Sequence, residues 1–167
     1  MTKNKLTLVC LDSNIVIWGI KGTASSGQEG MVPKAKAFLE YLQENKITAL
    51  IPMPVLAEIL IHVPAENHLG FIDHLRKGYH LPPFDFQAAS FYARLFKTNI
   101  KSLKKERGDQ HLTNRDIKAD LMIVASALAQ GASCIYSDDK GLMKVAGNAI
   151  KVEKLPSLAR QERLPEL

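Results

Sequence analysis

The sequence predicts an α/β fold in which a parallel sheet is covered by helices on both faces. Three observations carry this. The run Leu6 to Leu11 (LTLVCL) is apolar apart from one threonine, which suits a strand buried on both sides. Short β-type runs then alternate with amphipathic helical stretches along the chain. Finally, 167 residues, 46% of them apolar, suffice for one domain with a sizeable core and are too few for two.

Taken in order, Asp12-Ser13-Asn14 ends the first strand, and Ile15 to Ile20 reads as a short helix. Lys21 to Gly30 is a Gly/Ser-rich loop. Val32 to Glu44 is a helix with Ala35, Phe38, Leu39 and Leu42 on one face and Pro33 in its first turn. Thr48 to Ile51 is a short strand. Pro54 opens a helix (PVLAEILIHV) that is apolar through Val55, Leu56, Ile59, Leu60 and Val63, and Glu66 to Lys77 forms a third helical stretch. Tyr79 to Leu81 suits a short strand stopped by Pro82-Pro83. Asp85 is placed to cap a long helix from Phe86 to about Lys105. Arg107 to Arg115 is polar and loop-like. Ile117 to Gln130 is a strong helix closed by Gly131. Ser133 to Tyr136 is a strand, Leu142 to Ala146 a helical turn, and Ala149 to Val152 a final strand. Residues 1–152 thus form one folded unit, with 153–167 as a polar tail.

The composition excludes several classes. A charged fraction of 23% is ordinary for a globular chain, so disorder is not expected. No apolar run approaches the ~20 residues of a membrane span. The opening MTKNKLTLVCLDSN has no small-residue cleavage site, so no signal peptide is read. Two cysteines, Cys10 and Cys134, favour a reducing cytoplasm and read as small buried apolar side chains. Twenty-two Lys and Arg against seventeen Asp and Glu give a net charge of +5, a mild excess compatible with a polyanionic partner.

Acidic residues carry the functional signal. In an open parallel sheet, ligands bind beyond the carboxyl ends of the strands. Asp12 follows the first strand. Asp138 and Asp139 follow the fourth. Glu58 lies on the helix after the second, and Asp120 begins an apolar helix leading back to the sheet. Asp12 also suits a helix cap. Glu58, flanked by Ala57 and Ile59 on an apolar helix, needs a cation, a metal or an exit to solvent. Asp116 stands one turn before Asp120, either completing a capping box with Thr113 or supporting the site from behind. Several carboxylates on one rim repel unless a hard divalent cation intervenes. Mg²⁺ suits substrates that bring phosphate oxygens, and the chemistry indicated is metal-assisted phosphodiester hydrolysis.

Four segments carry a resemblance: Leu11 to Ile17 (LDSNIVI), Pro54 to Ile59 (PVLAEI), Asp120 to Leu128 (DLMIVASAL) and Tyr136 to Leu142 (YSDDKGL). In this order they resemble the PIN-domain nucleases, including VapC-type toxins. The resemblance spans nearly the whole chain except the tail. It implies a three-layer α/β/α sandwich with a central parallel sheet of four or five strands, and an endoribonuclease in the cytoplasm. It further implies that Asp12, Glu58 and Asp120 hold Mg²⁺ or Mn²⁺, with a fourth acid at Asp138 or Asp139, the S-x-D form favouring Asp139. Ser13 and Ser126 match recurrent hydroxyl positions. An antitoxin protein and a second copy of the chain are the partners implied beside RNA.

The stretch from Thr98 to Arg115 lengthens the chain relative to compact toxins. With Lys97, Lys101, Lys104, Lys105, Arg107, Arg115 and Lys118 it suits a phosphate backbone near Asp120, or equally a solvated helix end. His62, His68, His74 and His80 recur every six residues, which does not place them on one helical face. Trp18 reads as a packing residue. Two other functions are compatible with the sequence: a PIN fold that binds RNA or protein without cutting, and a phosphatase using Asp12 as nucleophile, for which no partner lysine can be placed.

Overall fold

A computed structural model describes residues 7–105 and 114–157, without the side chains of residues 100–105 and 114–116. Four strands form one parallel sheet: β1 (Leu8–Leu11), β2 (Thr48–Leu50), β3 (Ile135–Tyr136) and β4 (Val152–Glu153), in the spatial order β2-β1-β3-β4. Central β1 is flanked on both edges. Its register sets Val9 against Ala49 and Cys10 against both Leu50 and Ile135. Val9, Cys10 and Leu11 have no exposed surface, as a run apolar on both faces requires.

Among the described residues the helices are α1 (Ser13–Val16), α2 (Met31–Glu44), α3 (Met53–Leu60), α4 (His68–Arg76), α5 (Phe86–Lys105), α6 (Asn114–Ala129) and α7 (Lys140–Ala146). From β1 the chain crosses to β2 on one side, and from β2 it returns past β1 to β3. Parallel crossovers are right-handed, so these opposite directions put α2 on one face and α6 and α7 on the other. This is the expected α/β/α sandwich. Phe38 of α2 rests on Tyr136 of β3, ring centroids 4.4 Å apart. Trp18 is in the core, and both cysteines are buried free thiols.

Several boundaries differ from expectation. The helix after Asp12 is a single α turn followed by a π-helical turn, Ile17–Lys21. Gly19 lets α2 approach this wider turn: a Cβ there would lie 2.5 Å from Leu39 Cδ1. The strand expected at Tyr79–Leu81 is one parallel bridge between His80 and Leu50. His80 donates its N–H to the Ala49 carbonyl of β2 and accepts the Ile51 N–H just after it, but Pro82 and Pro83 lack the N–H groups to extend the ladder. The last strand falls at Val152–Glu153, because Gly147 adopts a positive φ of 48° and the chain turns through Ala149 before meeting β3. Glu153 therefore belongs to the sheet and not to the tail. The expected loop at Arg107–Arg115 is shortened by α6, which starts at Asn114. Residues 106–113, including Arg107 and Thr113, and the tail from residue 158 lie outside the described residues.

Candidate functional site

The strand order reverses direction between β1 and β3. The connection leaving β1 runs to one side and that leaving β3 to the other, which opens a crevice at their carboxyl ends. A cleft of about 710 Å³ lies there. It is lined by Asp12, Ser13 and Asn14 after β1; by Pro54, Ala57, Glu58, Ile61 and His62 along α3 and the turn beyond it; by Ala119, Asp120 and Ile123 on α6; and by Asp139 after β3.

Asp12 is the floor. Its side chain is only 4% exposed. One carboxylate oxygen, Oδ1, accepts the Ser13 N–H at 2.7 Å, and the other, Oδ2, accepts the Ser137 hydroxyl at 2.6 Å. It caps α1 at the same time, its carbonyl taking the N–H groups of Ile15 and Val16. The capping and site roles are compatible, because the cap places the carboxylate where the strand ends. Burial pushes the Asp12 carboxyl above its ordinary range. The hydrogen bonds from Ser137 and Ser13 oppose this, while the charges of Asp139 and Glu58 add to it. The neighbouring acids therefore act on Asp12 electrostatically.

Ser137 has no exposed surface. While donating to Asp12 it accepts the Asp139 N–H at 2.9 Å. One hydroxyl thus ties the end of β1 to the loop after β3, across 125 residues of sequence. The sequence carries no signal for this beyond the serine of the S-x-D form, since a buried tie between strand ends depends on register.

Asp139 is exposed and caps α7 through Oδ1, which accepts from Gly141 N at 2.6 Å and Leu142 N at 3.4 Å. Asp138 points elsewhere: it pairs with Lys154 at 3.7 Å and is not in the lining. Of the two acids left open by the sequence, the one facing the cleft is Asp139. Glu58 is also exposed, which is the exit to solvent that the sequence left open for it. Val55, Leu56 and Ile59 turn into the core while Ala57 and Glu58 face outward. Asp120 is half-buried on α6. Ser13 lines the cleft, its hydroxyl 3.4 Å from Asp12 Oδ1. Ser126 does not line it; its hydroxyl donates to the Met122 carbonyl of its own helix at 2.8 Å and is spent there.

The side chains of Lys101, Lys104, Lys105, Arg115 and Asp116 lie outside the described residues, as does all of Arg107. Lys97 and Lys118 are exposed. The four histidines do not gather: His68 bonds the Leu60 and Val63 carbonyls, and His80 meets Gln130. His62, however, lines the cleft, one turn beyond Glu58, a position that the six-residue spacing conceals.

The donor set suits a hard divalent cation: four carboxylates on one open cleft, two of them exposed, with room for retained water. Among the described residues, no three Asp, Glu, His or Cys side chains already stand together as a ligand cluster. Mg²⁺ needs no such cluster, because it is held through one or two carboxylates plus waters and substrate oxygens.

No family model and no curated protein matches this sequence. Solved structures do. The chain is similar to one in VapBC2 from Rickettsia felis bound to a DNA fragment from their promoter, with 20% identity and a TM-score of 0.60 over 89% of this chain and 98% of the other. It is similar to one in DNA-bound VapBC from Salmonella typhimurium, with 16% identity and a TM-score of 0.57 over 90% and 99%. A chain of VapBC-1 from nontypeable Haemophilus influenzae gives 17% identity and a TM-score of 0.59 over 89% and 98%. At such identities the likeness establishes the fold, which is the one the sequence motifs led us to expect.

Proposed function

We propose that the chain is a Mg²⁺- or Mn²⁺-dependent endoribonuclease of the cytoplasm, the toxin of a toxin–antitoxin pair. The observation that carries this reading is the arrival of Asp12, Glu58, Asp120 and Asp139 from four distant segments at one cleft on the strand-order reversal. The VapBC neighbours support an antitoxin partner, and a second copy of the chain is a further partner of the same reading.

Asp12, Glu58, Asp120 and Asp139 are the residues that would hold the ion. When bound, it supplies positive charge against the phosphoryl group and Lewis-acid activation of water. The chain's own groups do the rest. Ser13 and Ser137 fix the Asp12 carboxylate from both sides, and the α7 cap fixes Asp139. Asn14 and Ser13 present an amide and a hydroxyl able to donate to phosphate oxygens. In the reaction a water oxygen bonds to phosphorus, one P–O ester bond breaks, and the water's proton is passed on while the leaving oxygen gains one.

The test is cleavage of a structured RNA with Mn²⁺ by the wild type and by Asp12→Asn and Asp120→Asn. Losing a ligand forfeits several kcal/mol of charge stabilisation, so activity should fall by more than about a hundredfold. Equal cutting by all three proteins would refute the reading.

One observation favours a second reading, a PIN fold that binds RNA or protein without cutting: the basic residues between Lys97 and Lys118, of which Lys97 and Lys118 are exposed, would then carry the function. Calorimetric titration with Mn²⁺ separates the two, since a pure binder need not take up the ion.

A further inference from the structure

Four carboxylates explain how the cleft meets a cation but not how it meets a polyanion. A phosphodiester strand approaching Asp12, Glu58, Asp120 and Asp139 is repelled unless donor or cationic groups stand at the mouth. Of the described residues lining the cleft, His62 is the one whose side chain can bear a positive charge. It is exposed, and it stands in the turn that follows α3, four residues beyond Glu58 and lining the same cleft. Its ring offers an N–H donor in either protonation state.

The backbone of His62 is anchored. Its N–H donates to the Ile59 carbonyl at 3.1 Å. Its carbonyl accepts from Lys21 Nζ at 3.4 Å, across 41 residues of sequence. That second bond brings an ammonium to the same edge. Lys21 is delivered there by the π-helical turn that follows α1, and Gly22, at φ 69°, ends that turn. Such π turns are rare and concentrate at functional sites. The segment that starts from the Asp12 cap thus ends by placing a cation on the backbone carbonyl of His62, the residue that lines the cleft beyond Glu58. An ammonium has three donors, and the His62 carbonyl takes one.

We infer that Lys21 and His62 form a cationic lip at the mouth of the cleft, which holds a phosphate of the RNA strand next to the scissile bond. The inference rests on the ribonuclease reading of the cleft. It assigns a phosphate contact separate from the basic stretch between Lys97 and Lys118. The lip binds substrate and takes no part in bond breaking.

The experiment measures binding of a fluorescent single-stranded RNA in EDTA across a salt series, together with steady-state cleavage in Mn²⁺, for wild type, Lys21→Met, His62→Ala and His62→Gln. Both residues are at the surface, and far-UV circular dichroism with urea midpoints checks that each variant folds as the wild type does. Lys21→Met should weaken binding about threefold and flatten the salt dependence by about 0.7 in the log–log slope, the value for one lost phosphate contact on a single strand. His62→Ala should weaken binding by a similar factor, and His62→Gln, which keeps an N–H donor, should recover part of the loss. In cleavage, KM should rise while kcat holds. Unchanged affinity and slope in both single variants would refute the lip, and so would a fall in kcat at constant KM. RNA binding that weakens in the variants without any Mn²⁺-dependent cutting would sink the nuclease and keep the lip. A wild type that neither binds nor cuts RNA removes both.

Discussion

Asp12 illustrates how one side chain carries a structural cost at the point where a chemical role is proposed for it. Its carboxyl is buried, and its native pKa is raised above the ordinary 3.8, first by burial and then by the charges of Asp139 and Glu58. As pH rises from 3.8 through the native value, the unfolded chain sheds a proton that the native chain still holds, so the metal-free protein loses stability over that window. Asp12→Asn removes this dependence. The lost bond geometry to Ser137 shifts both ends of the comparison alike. Measured by urea unfolding in EDTA, the variant should therefore gain on the wild type between acid and neutral pH; parallel curves would refute the idea. Ser137 is the complementary case. Ser137→Ala leaves Asp12 Oδ2 without its donor at a buried point and the Asp139 N–H without its acceptor at a part-buried one. It should cost about 1–3 kcal/mol in unfolding. It should also weaken Mn²⁺ binding by about 10–100-fold, the usual effect of removing a partner that orients a ligand.

At the scale of elements, amphipathic spacing and punctuation were readable and strand ends were not. The helix following Asp85 begins as expected because the Asp85 carboxylate accepts the Ala88 N–H at 2.9 Å. Asp85→Ala should cost about 1 kcal/mol in urea unfolding and leave RNA cleavage unchanged, since this cap is remote from the cleft lining. Gly131, at φ 69°, likewise ends α6 where the sequence places it. By contrast, the π-helical form of the turn at Ile17–Lys21 has no local signal. It depends on Gly19 admitting Leu39 of α2, a contact between distant segments. Gly19→Ala drives a methyl toward Leu39 Cδ1 and should cost about 1 kcal/mol or more, as overpacked sites do. If Lys21 depends on that turn for its place, the same variant should also weaken RNA binding. Unaltered stability would mean that Leu39 simply rotates aside.

At the scale of the whole molecule, the sandwich was legible because buried parallel strands and the helices between them leave an apolar signature. So was the convergence of acids, since each follows a strand or lies on a helix that borders the same rim. What remained hidden depends on three-dimensional register: the choice between Asp138 and Asp139, the exposure of Glu58, the Ser137 tie, and the place of His62. If the cleft takes a divalent ion, the ion stabilises the entire fold. At a hundredfold excess over Kd the gain is about 2.7 kcal/mol, or roughly 5–10 °C in Tm for a chain of this size. Differential scanning calorimetry with and without Mn²⁺ checks this, and Asp12→Asn with Glu58→Gln should abolish the shift. The Ser137–Asp12 bond has one more consequence. It joins two segments 125 residues apart, so a polypeptide stalled on the ribosome before residue 135 already carries Asp12, Glu58 and Asp120 yet has no third strand to align them. If the ribonuclease reading holds, products that stop before residue 135 should therefore leave RNA uncut, and those that extend past Asp139 should cut it.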